Sequence, residues 1–311
     1  MALKHFIKKS FVLIILPTIL FLGLYEYLYR EIPNDFKIKK ENLLNRKDSI
    51  ETLIFGTSHA YNGIDPLYLK NAYNLANDGQ TLLLDLYNYN QYIKFLPNIK
   101  NIILSISYHS LTMDTIATSN DIWKIRKNQL YMGLKIKPYH ELSYWLECLH
   151  PQYYNTIVQY YINNQSHNAC DTLGFSRKDI SRSKTELTNL IQLKGHTPKR
   201  PINEIKLLAK GNQHIIESII EDCQQRNINV YFVTTPCHKY YRENIDTIQY
   251  TIMQNTIKDI QNKYPNIQYL DFFSNLDFFD EDYDNNNHLS IKGAKKLSLK
   301  LSKIISNCSI L

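Results

Sequence analysis

The sequence predicts an α/β fold: a doubly wound parallel sheet, preceded by one N-terminal membrane helix and interrupted by a helical insertion. Three observations predict it. Short apolar, β-prone runs recur along the chain. Longer segments with helical periodicity separate them, the pattern of strands joined by crossover helices. The amino end carries a separate, almost charge-free apolar run.

The strand candidates are Thr52–Phe55, Ala72–Leu75, Asn101–Ile106, Asn229–Thr234 and Ile267–Asp271, and helical patterns cover Thr81–Leu96, Ile202–Gln225, Asn244–Lys263 and Ile291–Ser306. In the last of these, Ala294, Leu297, Leu301 and Ile304 fall on one face, and Ser290 is placed to cap it. Residues from about Thr112 to Arg200 break the rhythm; they are rich in Tyr, His and Asn and contain "LSYWLECLHPQYYNTIVQYYI". An insertion of this length in a βαβ series is either functional, as a lid or substrate wall, or a set of extra packing helices.

At the amino end, Lys4, Lys8 and Lys9 precede "FVLIILPTILFLGLYEYLY", Phe11 to Tyr29, whose sole charge is Glu26. At about 1.5 Å per residue this run is near the short limit for a membrane span. Tyr25, Tyr27 and Tyr29 suit the headgroup belt, and Pro17 is tolerated in such helices. No small-residue cleavage site follows, so the expectation is an uncleaved signal anchor over residues 1–33, with the α/β domain over 34–311. The leading lysines favour an inside amino end and an extracytoplasmic domain at the cytoplasmic (inner) membrane. Arg30, Lys37, Lys39 and Lys40 pull the other way.

The 311 residues, 44% hydrophobic, suffice for one large core. A net charge of +7 without a long Lys/Arg block predicts no nucleic-acid partner and suits anionic lipid or acidic glycan. The five cysteines, Cys148, Cys170, Cys223, Cys237 and Cys308, show no CxxC pairing and no zinc-site spacing with His, so neither a metal site nor a disulfide framework is expected. No cofactor is expected, and no Gly-rich loop follows the first strand to cradle a nucleotide.

Chemistry concentrates at two places. The first strand ends in "FGTSHAYNGI", which sets Ser58 at a strand tip, where ligands meet an open α/β sheet. Near the carboxyl end, "DEDYDNNNHLS" sets His288 just ahead of the last helix with Asp282 and Asp284 upstream. A carboxylate on one ring nitrogen orients an imidazole, whose other nitrogen can take a proton from a serine hydroxyl.

Together these segments resemble the SGNH (GDSL-like) hydrolase superfamily. "FGTSHAYNGI" is similar to its first block in the G-[DT]-S form of membrane-anchored relatives. "YNLANDGQT" is similar to the second block, "NNNHLSIKGA" to the last, and "VYFVTTPCHKYY" to a strand-plus-Pro segment of that subgroup. The resemblance implies a flavodoxin-like sheet, Ser58 as nucleophile, His288 as general base, and an oxyanion hole from the amides of Ser58 and Gly79. It also implies a surface glycan as substrate, through acyl esters, and a membrane partner that delivers an acyl donor. Two departures stand out. The family's Asp, three residues before the histidine, is Asn285 here, and the nearest acid is Asp284, which reaches the ring only if the loop bulges by one residue. The third block, usually G-x-N-D, is replaced by "ILSISYHSL", which offers Ser107, Tyr108 and His109. Two functions are therefore expected as rivals: a serine esterase or O-acyltransferase, with Asp284 or Asn285 orienting His288, and an inactive binding or assembly subunit on the same fold.

Overall fold

The computed structural model describes residues 2–114, 122–137, 142–150, 154–165, 170–177, 187–189, 191–197 and 200–308. Ala2–Ser10, a π-helical stretch Phe11–Ile15 and Leu16–Glu31 run on as one helix, α1. It continues past the apolar run at both ends, and its Lys4–Glu31 stretch is long and apolar enough to cross a membrane. A second helix, α2 (Asp35–Asn45), follows and is capped by Asn34, whose side chain accepts from Lys37 N–H.

The sheet strands are β1 (Thr52–Phe55), β2 (Ala72–Asn74), β3 (Asn101–Ser105), β4 (Asn229–Thr234) and β5 (Gln268–Asp271). All pair in parallel in the order β2-β1-β3-β4-β5, the flavodoxin-like order. Thr52 lies between Ala72 on one side and Asn101 on the other, so β1 and β3 are neighbours across the point where the winding reverses. Ligands bind outside the strand ends at such a reversal.

Crossover helices cover both faces. These are α3 (Ser58–Gly63), α4 (Leu82–Tyr92), α8 (Ile202–Gln225), α9 (Lys239–Arg242), α10 (Thr247–Lys263) and α11 (Ile291–Cys308). Three more helices belong to the insertion: α5 (Ile122–Lys127), α6 (Tyr154–Tyr161) and α7 (Ile191–His196). The central strands are apolar on both sides because both faces are covered. Leu53, Phe55, Ile102, Leu104 and Phe232 pack toward α4, α8 and α10, whereas Ile54, Ile103, Tyr231 and Val233 pack toward α3 and α11. On α11, Ala294, Leu297 and Leu301 are fully buried, and Ser290 Oγ accepts from Gly293 N–H.

Where the boundaries differ from expectation, the difference is local. The pattern at Thr81–Leu96 divides into α4 and a 3-10 turn, Ile93–Phe95, with Thr81 as the cap. The one at Asn244–Lys263 starts at Thr247, because Asp246 caps it through Ile248 and Gln249 N–H. Cys148, Cys170, Cys223 and Cys237 are free thiols; the Cys308 side chain and parts of the insertion, such as 115–121 and 178–186, lie outside the described residues.

Candidate active site

The site begins at the tip of β1. Gly56 has φ +138°, a conformation that side chains other than glycine's rarely adopt, and a Cβ there would stand 2.8 Å from Ser105 Cβ on the neighbouring strand. Its N–H donates to Asp85 Oδ1 (3.2 Å), and Gln80 Nε2 donates to the same oxygen (2.6 Å). Burial pushes the Asp85 carboxyl up to about 7, against the pull of those two donors. This buried acid on α4 therefore ties the β1 tip to the segment that holds Gly79. Thr57 then caps α3 by accepting from His59 N–H, and Ser58 is the helix's first residue, half-buried. The turn after β2 is fixed alongside, since Asn77 N–H donates to Gly56 C=O (3.2 Å). Gly79 lies in that turn.

The opposite wall comes from the loop before α11. Tyr283 and Leu289 form an antiparallel bridge, and Asp284 N–H donates to His288 C=O (3.0 Å), closing the loop on itself. His238 N–H on the β4 side donates to Asn286 C=O (2.9 Å) and holds the loop down. The result brings residues 230 positions apart into contact: His288 Nε2 stands 2.8 Å from Ser58 Oγ. Asp282, the other acid upstream, is turned away, fully buried against Lys296 and accepting from Phe279 N–H.

At the ring's other nitrogen stands Asn285, with its amide nitrogen 3.1 Å from His288 Nδ1. The orientation of this amide is fixed independently: Asn285 Oδ1 accepts from His288 N–H (2.9 Å) and Asn287 N–H (3.1 Å). Its NH₂ therefore donates to Nδ1. The hydrogen of the neutral ring then sits on Nε2, and Nε2–H donates to Ser58 Oγ. A general base needs the reverse, with Nδ1 protonated and Nε2 open to the serine proton. Asp284 N–H donates to the His288 C=O, and the Asn285 side chain is in hydrogen-bond contact with Nδ1.

Three histidines surround the pair, and sequence reasoning missed two of them as site residues. His59 lies 5.3 Å from the His288 ring; His109 and His196 complete the cluster from the β3 end and from α7 in the insertion. Each comes from an ordinary-looking polar segment, "TSH", "YHS" or "KGH", and only the fold assembles them. Burial first, then the neighbouring histidines, hold His59 and His109 well below the usual imidazole range. Burial lowers His196 to about 4, and burial together with His196 lowers His288 to about 3. All four are neutral at physiological pH.

One ring nitrogen from each of His59, His109 and His196 lies within 4.8 Å of the other two. His109 and His196, however, stack face to face, 3.8 Å apart and 9° from parallel. Lone pairs lying in parallel ring planes do not converge on one ion, so this trio as arranged is a packing cluster rather than a coordination set. Tyr241 OH lies 2.6 Å from His196 Nδ1 and locks α7 onto the site. The missing third block is filled by Ser107, 3.5 Å from Thr57 Oγ1, and by His109, whose Nδ1 has no hydrogen-bond partner among the described residues.

No family model matches the chain, and no curated protein matches it. Among solved structures it is similar to a "putative acylhydrolase" of Bacteroides fragilis, at 12% identity and TM-score 0.41, over 92% of this chain and 96% of that one. It is likewise similar to a GDSL-like lipase of Bacteroides thetaiotaomicron, at 10% identity and TM-score 0.41, over 88% of this chain and 99% of that one. Similarity this distant carries nothing about chemistry, so the reading of the site rests on its own residues.

Proposed function

We propose that this protein is a membrane-anchored, extracytoplasmic serine esterase or O-acyltransferase of the SGNH type, acting on acyl esters of a cell-surface glycan, most simply acetyl esters. The observation that carries the reading is the 2.8 Å contact between Ser58 Oγ and His288 Nε2 at the carboxyl end of β1. In the proposed reaction Ser58 Oγ attacks the ester carbonyl while its proton passes to His288 Nε2. The oxyanion is held by the amides of Ser58 and Gly79. His288 returns the proton to the departing alcohol, leaving an acyl-enzyme. Water as acceptor completes hydrolysis, and a sugar hydroxyl completes transfer. The glycan and a membrane partner carrying the acyl donor are what the resemblance to membrane-anchored relatives implies, and the reading of α1 as an anchor with its lysine-led amino end inside supports them.

Turnover requires His288 in its Nδ1–H form, so Asn285 must turn its carbonyl oxygen to the ring and give up the two backbone N–H groups that it now accepts from. That requirement favours a second reading, a binding or assembly subunit that keeps the fold without the rate. Labelling with a serine-reactive fluorophosphonate separates the two. The wild type should label and Ser58→Ala should not; an unlabelled wild type that is folded supports the binding subunit.

A further inference from the structure

The insertion grips α1 at its membrane end. Arg30 Nη2 donates to Trp145 C=O (2.8 Å), Cys148 N–H donates to Glu26 Oε2 (2.7 Å), Tyr25 OH to His150 C=O (3.3 Å), and Tyr161 OH to Leu28 C=O (3.0 Å). These contacts ring the helix between Tyr25 and Arg30 from two separate stretches of the insertion. The stretch containing α6 runs back along α1: Thr156 shares a cavity with Tyr29 and Ile32, and Tyr161 lies further toward the apolar end, at Leu28. At the tips of this ring three apolar side chains are exposed, Leu149 (47%), Tyr161 (42%) and Ile162 (71%), with the exposed polar Asn163, Asn164 and Gln165 following Ile162.

The length of α1 says what covers them. Between Lys9 and Glu26 the charge-free run is Ser10 to Tyr25. At about 1.5 Å per residue that is roughly 24 Å, short of the about 30 Å of hydrocarbon in a typical bilayer. The shortfall of roughly 6 Å is about one further turn of helix, and taken at the carboxyl end that turn falls in the part held by the ring. Glu26 is fit for that depth, because Arg30 Nε (2.5 Å) occupies one carboxylate oxygen and Cys148 N–H the other.

We infer that residues 142–150 and 154–165 form a collar that seats the domain on the bilayer, with Leu149, Tyr161 and Ile162 immersed in the lipid interface around α1. This rests on the reading of α1 as a membrane span. Apolar and tyrosine side chains flanking a span gain at that depth, where rings sit with one end wet and one dry. The collar makes the domain a fixture of the membrane surface rather than a body on a loose tether, and it fixes the height of the Ser58 site above the lipid.

The test uses the full chain reconstituted in phosphatidylcholine vesicles whose acyl chains are brominated. Leu149→Trp and Ile162→Trp variants are compared with wild type, whose emission comes from Trp123 and Trp145. The added emission of both variants should be largely quenched by the brominated lipid. A chain that resists carbonate extraction while both added tryptophans stay bright overturns the collar and leaves the span standing. A chain released by carbonate overturns span and collar together.

Discussion

At the scale of single residues, Asn285 decides how much chemistry the Ser58–His288 pair can do. An amide that donates to Nδ1 holds the ring in the tautomer that donates to serine, whereas a carboxylate accepts from Nδ1 and opens Nε2. Asn285→Asp replaces the donor with an acceptor in the same place, so kcat toward a small acetyl ester should rise, by up to about 10⁴ on the scale of the reverse change in serine proteases. KM should move little, because the interaction gained belongs to the transition state. Steady-state kinetics of the variant checks this. A silent Asn285→Asp together with a large loss in Asp284→Asn would make Asp284 the orienting residue, with the loop rearranged in turnover. The departure at position 285 was legible in the sequence, but its consequence was not: the tautomer follows from the two backbone N–H groups that fix the amide, and no pattern of residue types encodes them.

At the scale of elements, the strands were readable to within a residue or two: the central β1, β3 and β4 are buried, largely apolar runs, while the edge strand β5 is half exposed. The helix α2 was not readable. Its face toward the domain carries Phe36 and Leu43 but also Lys39, and a lysine in the apolar stripe hides the helical period. The structure buries Lys39 fully, with its ammonium donating to Ala76 C=O and lying 4.0 Å from the centre of the Tyr61 ring; burial lowers its pKa to about 8. The insertion hides the same kind of feature. Glu147, wholly buried, accepts from Arg126 (2.9 Å), Lys127 (2.8 Å) and Tyr131 OH (3.2 Å), and Lys127 also donates to Tyr29 OH of α1 (3.1 Å). Removing this carboxylate takes an ion-pair partner from both buried cations at once. Glu147→Ala should therefore destabilise the collar by about 3–5 kcal/mol, the range for a buried pair that loses one partner. Thermal melting in detergent, with limited proteolysis between residues 122 and 165, measures it; an unchanged melt and cleavage pattern would contradict the proposed weight of this cluster.

At the scale of the whole molecule, the buried histidines set how the fold responds to acid. His59, His109, His196 and His288 all have folded pKa values below the usual 6.5, the last two at about 4 and about 3, chiefly through burial. Below pH 6.5 the unfolded chain binds protons that the folded chain refuses, so stability is complete above that pH and declines as pH falls beneath it. Asp85 acts in the opposite sense. Its pKa is raised to about 7, so the folded chain keeps a proton that the unfolded chain has released, and its contribution is present at low pH and lost as pH rises from about 4 to 7. Between pH 4 and 6.5 four groups oppose one, and the histidines win. Ion-paired carboxylates such as Glu51 and Asp277, held below their ordinary values by lysines, add acid sensitivity only below this window. Denaturant unfolding should therefore show stability dropping between pH 7 and pH 5, well above the range where carboxylates alone would act. Asp85→Asn removes the opposing group and should steepen the drop, while His109→Gln removes one of the four and should make it shallower. The same low His288 pKa keeps the ring neutral across this range, so on the proposed mechanism the rate on a small ester should stay flat wherever the protein stays folded. Stability that is level from pH 7 to pH 5, with a rate that falls around pH 6.5, would show that these histidines are solvated and charge normally, and the dry cluster beside Ser58 would have to be abandoned.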